Sequence, residues 1–171
     1  MAQFNETSMG AIFQNRAQQY GDKTLVIFKN RFGKWEELSW NRINEMVRDL
    51  ALFLINRGIQ TGDKVALFSP NRYEWWVADL AIISIGAVNV PIYATNSVEE
   101  SRYIIDNSDA KMCFVGTRDH MDKILKAKER LPNLGDVILL DDLDKPVSGV
   151  ITLAAALKEG KGAKNREEFE K

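Results

Sequence analysis

The chain has 171 residues, of which 45% are apolar and 27% charged, enough for one ordinary core and too few for several domains. A formal charge of −1, with Lys, Arg, Asp and Glu interspersed, leaves no basic stripe for a phosphate backbone and argues against nucleic acid as a partner. Cys113 stands alone, so no internal disulfide forms, and Asp79 interrupts the best apolar run before it reaches membrane-spanning length.

The opening MAQFNETSMG lacks the basic and apolar regions of a signal peptide, so a soluble cytoplasmic protein is expected. Thr7 or Ser8 caps a predicted first helix, with Met9, Ile12, Phe13, Ala17 and Tyr20 on one face and Gly21 at its end. Residues 24–28 and 35–40 read as two strands of a hairpin, turned through Asn30-Arg31-Phe32-Gly33-Lys34. Ser39 is a candidate cap for the next helix, whose stripe is Ile43, Met46, Val47, Leu50, Ala51, Phe53 and Leu54, closed by Gly58.

Residues 63–93 form the organising unit. Strands over 65–68 and 88–93 flank a helix over 73–85, a right-handed βαβ crossover. The helix is apolar on almost every side, through Trp75, Trp76, Val77, Leu80, Ile82 and Ile83, so it is expected to be the buried core helix. Truncating either tryptophan should then cost about 3–5 kcal/mol. Asn71 and Glu74 read as its capping box.

The same alternation continues. Ser97-Val98-Glu99-Glu100 is a capping box opening a helix through Ile104 and Ile105, followed by a strand over 111–115. A helix over 119–131, stopped by Pro132, precedes a strand over 137–140, the acidic turn Asp141-Asp142 and a short helix over 152–157. The expected fold is α/β: a largely parallel, doubly wound sheet with helices on both faces, plus an N-terminal β-hairpin. Residues 1–157 make the ordered subdomain. Residues 158–171, KEGKGAKNREEFEK, hold one large apolar side chain, Phe169, and read as a charged tail or linker.

The residues carry little chemistry. The turn after the first central strand, Ser69-Pro70-Asn71-Arg72, has no glycine, and Glu74 puts negative charge where an anion would sit. Glu99 and Glu100 do the same at the second turn. Gly116-Thr117-Arg118 is friendlier to phosphate, but a lone glycine beside an arginine reads as an ordinary loop, and no glycine-rich phosphate motif occurs. Cys113 lies mid-strand as a small hydrophobe, His120 is expected at an exposed helix start, and together they make no metal ligand set. Asp141, Asp142 and Asp144 read as solvated turn residues rather than a Mg2+ site.

Four phrases between residues 58 and 115 carry a resemblance: GIQTGDKVA, NRYEW, GAVNVPIY and DNSDA on its way into a strand. In this order they resemble the N-terminal part of the adenylate-forming (AMP-binding) synthetases, over about residues 7–157. Pro91-Ile92-Tyr93-Ala94-Thr95 resembles the long-chain fatty acid–CoA ligases. The resemblance implies a partial N-terminal domain of an acyl-CoA synthetase-like fold. It also implies a ligase that uses ATP with Mg2+ to turn a fatty acid into an acyl-adenylate, and then CoA to form the thioester. That enzyme would be cytoplasmic or peripheral at a membrane. The family's Ser/Thr/Gly-rich phosphate loop ending in Pro-Lys, its Tyr-Gly-x-Thr-Glu stretch, its ribose-binding Asp and its C-terminal Lys have no counterpart here. No catalytic, cofactor-binding or metal residue is therefore carried onto this chain, and alone it is expected to be inactive and to bind no cofactor. A cut sheet would expose an edge, from which a homodimer is expected. The alternative from another class is a stand-alone flavodoxin-like binding module; a luciferase-like or reductase-linked adenylate-former is a third reading.

Overall fold

The computed structural model describes residues 8–164. Their strands form two sheets. β1 (Thr24–Lys29) and β2 (Trp35–Ser39) pair as an antiparallel hairpin. β3 (Lys64–Phe68), β4 (Val88–Ile92), β5 (Met112–Val115), β6 (Val137–Leu139) and β7 (Val150–Thr152) form a parallel sheet in the order β4-β3-β5-β6-β7. The helices are α1 (Met9–Tyr20), α2 (Trp40–Asn56), α3 (Tyr73–Ser84), α4 (Val98–Ser108), α5 (Arg118–Lys128) and α6 (Leu153–Lys161).

Successive strand side chains point to opposite faces. Val65, Leu67, Met112, Phe114 and Ile138 join one apolar layer, with α1, α2, α3 and α6. Ala66, Phe68, Cys113, Val115, Val137 and Leu139 join the other, with α4 and α5. Covering both faces is why these strands are unbroken apolar runs. The doubly wound sheet and the hairpin are as the sequence predicts.

Local signals at the helix starts hold. Ser8 accepts from Ala11 N at 3.2 Å and Ser39 from Arg42 N at 3.2 Å. Ser97 and Glu100 form the reciprocal box, with Ser97 N donating to Glu100 Oε2 at 2.8 Å and Glu100 N to Ser97 Oγ at 3.3 Å. Met9 is exposed, so the inward stripe of α1 is Gly10, Phe13 and Ala17.

α3 departs from expectation in two ways. Its N-cap is Arg72, not Asn71, and no side chain caps it. It is also not buried all round, because its inward side is the narrow one of Val77, Ala78, Ala81 and Ile82. Trp76 is 52% exposed and Trp75 is half-buried. The most deeply buried helix is instead α2, where Leu50, Ala51, Leu52, Phe53 and Leu54 are closed to solvent between α1, α3 and α6. Trp76→Ala is accordingly expected to cost no more than about 1 kcal/mol, and Trp75→Ala more, as read from urea midpoints.

The C-terminal end also differs. Residues 150–152 form a fifth strand, and α6 continues to Lys161, taking in four residues that composition assigns to a tail. Two contacts order that extension. Gly160 is buried against the backbone of α2, and the Arg57 guanidinium holds Glu159 through Nε at 3.0 Å and Nη2 at 2.7 Å. The same guanidinium reaches Asp136 at 2.9 Å. Phe169 and the rest of the predicted tail beyond Lys164 lie outside the described residues.

β4 is one margin of the sheet. Val88 N donates to Asp63 O at 2.8 Å, so Val88, Val90 and Ile92 turn their amides toward β3 while Asn89 and Pro91 face outward.

Candidate functional site

The winding reverses at β3. The chain passes over α3 to β4 on one side, then back over α4 to β5 on the other. In open α/β sheets the crevice beyond the carboxyl ends of such strands is where ligands bind. Here it is closed. Gly116, just after β5, donates its N–H to Phe68 O at 2.9 Å. A Cβ on Gly116 would come within 2.2 Å of Ser69 Oγ and 2.8 Å of Pro70 Cδ, so the Ser69-Pro70 turn rests directly on this backbone. No phosphate fits between them.

Thr117, the hydroxyl of the same turn, is engaged in capping α5: its Oγ1 accepts from His120 N at 3.4 Å. His120 itself is 5% exposed, not at the surface as expected. Its ring packs on Phe68 with centroids 4.2 Å apart. Nε2 lies 2.9 Å from Ala94 O and Nδ1 3.0 Å from Thr117 Oγ1. One neutral tautomer satisfies both contacts, with Nε2–H donating to the carbonyl and Nδ1 accepting from the hydroxyl. His120 thus ties the end of β4 to the start of α5. Cys113 is fully buried, and burial pushes its thiol far above the ordinary range, away from nucleophilic use.

Arg72 is the centre of the arrangement. Nε and Nη2 each donate to Glu74 at 2.8 Å, while Nη1 donates to Gly116 O and to Asp141 Oδ1, both at 2.7 Å. One guanidinium therefore fastens the ends of β3, β5 and β6. Its bonds to Glu74, then those to Asp141, hold its pKa well above the usual value. Asp141 lies in the turn after β6 with its side chain still partly in solvent, and it also holds Arg72. With two carboxylates on one guanidinium the cluster is net negative, and Arg72 has no fork left for a phosphate.

A cleft of about 860 Å³ opens above this cluster. Phe28 and Met46 line one side, Leu153 and Leu157 of α6 another, and Arg72, Tyr73 and Asp141 the floor. Among the described residues no group of His, Cys, Asp or Glu could hold a metal ion. With Gly116 covered by the Ser69-Pro70 turn and the Arg72 fork taken by Glu74, neither group is open to a phosphate. What the arrangement provides is a rigid, strand-end floor under a mixed apolar and polar cleft.

The model of the AMP-binding enzyme family matches residues 13–168. The chain belongs to that family. Among curated relatives, it is 36% identical over 118 residues to the long-chain-fatty-acid–CoA ligase FadD15 of Mycobacterium bovis, covering 68% of this chain and 20% of that protein. It is 30% identical over 131 residues to the long-chain-fatty-acid–CoA ligase ACSBG2 of Xenopus laevis, covering 77% and 18%. The chain thus spans about a fifth of the length of the curated relatives it matches. Of solved structures, the A-PCP didomain of carboxylic acid reductase from Segniliparus rugosus, in complex with AMP, superposes with a TM-score of 0.79 at 15% identity, over 94% of this chain and 28% of that one. The anthranilate CoA ligase AuaEII, in complex with anthranoyl-AMP, gives 0.76 at 18% identity, over 88% and 27%. These likenesses establish the fold of the adenylate-forming ligases.

One cleft residue also sets a pH dependence. Burial first, and the charge of Glu74 second, push the Tyr73 phenol up to about 12. The unfolded chain releases that proton near pH ~10. Between those values the native state holds the proton and the unfolded state does not, so Tyr73 contributes stability that is complete below pH ~10 and lost as pH rises toward 12. Urea midpoints measured from pH 8 to 11 should fall at the alkaline end, and Tyr73→Phe should flatten that fall.

Proposed function

We propose that this chain is the N-terminal part of an ATP-dependent long-chain fatty acid–CoA ligase. The whole enzyme joins a fatty acid, ATP and CoA through an acyl-adenylate, yielding acyl-CoA, AMP and diphosphate. The observation that carries the reading is the family match over residues 13–168 together with the likeness to long-chain ligases from a bacterium and an amphibian. Mg·ATP supplies the activated phosphorus and CoA the thiol, and this reading assigns their binding to the remainder of the enzyme. The part of this chain is architectural. Arg72 and His120 lock the ends of β3, β4, β5 and β6 in register, and the cleft above them is a stage for residues from the remainder of the enzyme. An enzyme that takes its acid from lipid and its ATP from water works at the cytoplasmic face of a membrane, as a peripheral protein.

The test is fatty acid-dependent exchange of diphosphate into ATP. The native full-length polypeptide containing this chain should catalyse it with long-chain acids in preference to acetate, and the 171-residue chain alone should not. Absence of exchange in the full-length protein with every fatty acid would overturn the ligase reading. Exchange by the short chain would overturn its architectural role.

A further inference from the structure

We propose that the β1–β2 hairpin is a docking surface for an anionic lipid bilayer. Its inner side faces the body of the protein, where the Phe28 ring meets Tyr73 with centroids 4.6 Å apart. Ile27 and Lys29 alternate with Phe28 on the opposite side, where Lys29 stands across from Trp35. Ile27 is 60% exposed, Trp35 68% and Phe32, at the turn, 73%. The tip from Lys29 to Trp35, KNRFGKW, carries three cations and no carboxylate. None of the three is ion-paired among the described residues. Lys29 Nζ lies 5.3 Å from the Trp35 ring centroid and the Arg31 guanidinium 4.9 Å from that of Phe32, so charge and aromatic surface sit side by side.

A bilayer surface offers both complements at once: phosphates for the cations and, just beneath them, the interfacial depth where aromatic rings settle. A second copy fits poorly, because a two-fold contact through this patch would set its cations against themselves. The tip is also built before it docks. Asn30 Oδ1 accepts from Phe32 N at 2.9 Å and Lys34 N at 3.0 Å, and Gly33 N donates to Asn30 O at 2.9 Å. Little conformational freedom remains to be lost on binding. Two exposed carboxylates border the tip, Glu36 beside Trp35 and Glu37 across from Ile27, and they accept from Asn30 and Thr24, each at 2.6 Å. This inference rests on the hairpin alone and does not depend on the ligase reading.

The test is co-sedimentation of the 171-residue chain with vesicles of phosphatidylcholine alone or with phosphatidylserine, without ATP or fatty acid. Anionic vesicles should retain at least about tenfold more protein than neutral ones, and raised salt should release it. Phe32→Ser/Trp35→Ser and Lys29→Glu/Arg31→Glu/Lys34→Glu should each abolish most of that retention while keeping the parent urea midpoint. Equal retention on both vesicles, or retention unchanged in the folded variants, would overturn the proposal. So would a shift in the protein's own sedimentation without vesicles, abolished by the same substitutions, since that marks a contact between copies. Diphosphate exchange by the full-length enzyme is a separate readout that none of these results decides.

Discussion

Gly160→Ala should detach α6 and lower the stability of the chain by about 3 kcal/mol. A Cβ at Gly160 would lie 1.7 Å from Asp49 O, 2.7 Å from the Asp49 carbonyl carbon and 3.1 Å from Phe53 N. All three are backbone atoms in the middle of α2, where residues 49–54 are buried and leave little room to shift. The exchange gains up to about 1 kcal/mol of helix propensity, so the clash must exceed that gain to be seen. A separation far inside van der Waals contact exceeds it. A urea titration should show the midpoint dropping, with a reduced slope if α6 leaves before the rest unfolds. Trypsin should then cut at Lys158 and Lys161 faster than in the parent. A variant as stable and as resistant as the parent would mean that α6 does not pack on α2 in this way.

Arg72→Ala should cost about 3–5 kcal/mol, because it strands the Glu74 carboxylate, only 8% exposed, without its partner. The loss is larger than the pair is worth, since most of it is the penalty of an uncompensated buried charge. Two comparisons separate the terms. Arg72→Lys keeps the charge but loses the fork that meets both Glu74 oxygens, so it should recover less than half of the loss. Arg72→Ala/Glu74→Ala removes both charges and should be more stable than Arg72→Ala alone, the difference giving the coupling energy. If the double variant is no more stable than the single one, Arg72 acts through Gly116 and Asp141 instead.

Local chemistry made much of the fold legible before any coordinates. Ser8, Ser39 and Ser97 announce helix starts because a hydroxyl three residues before an unpaired amide is a local arrangement. The runs at 65–68, 112–115 and 137–139 announce buried parallel strands because both faces of the sheet are covered. Features that depend on distant partners were not legible. Nothing within ten residues of Arg72 indicates that Asp141 will meet it, or that its neighbour Asn71 will be left out of the cap. His120 sits at a helix start, and only the return of β4 past that helix brings Ala94 O within reach to bury it. β7 is only partly buried and runs straight into α6, so nothing marks it off from that helix, and composition weighs apolar area while missing what a small residue such as Gly160 allows two helices to do. Of the cleft, only the strand-end turns at 69–72 and 141–142 were legible, because its walls come from β1, α2, α3 and α6, which are far apart in the chain.

The placement of Pro91 has a consequence for how this protein behaves when crowded. Of the two positions that β4 turns outward, one is an imino acid with no hydrogen to give. A foreign strand arriving there finds a single amide, that of Asn89, in place of a row of donors. Fibril-like stacking along this flank is therefore poorly templated, and concentrated solutions should stay free of cross-β aggregates seeded from it.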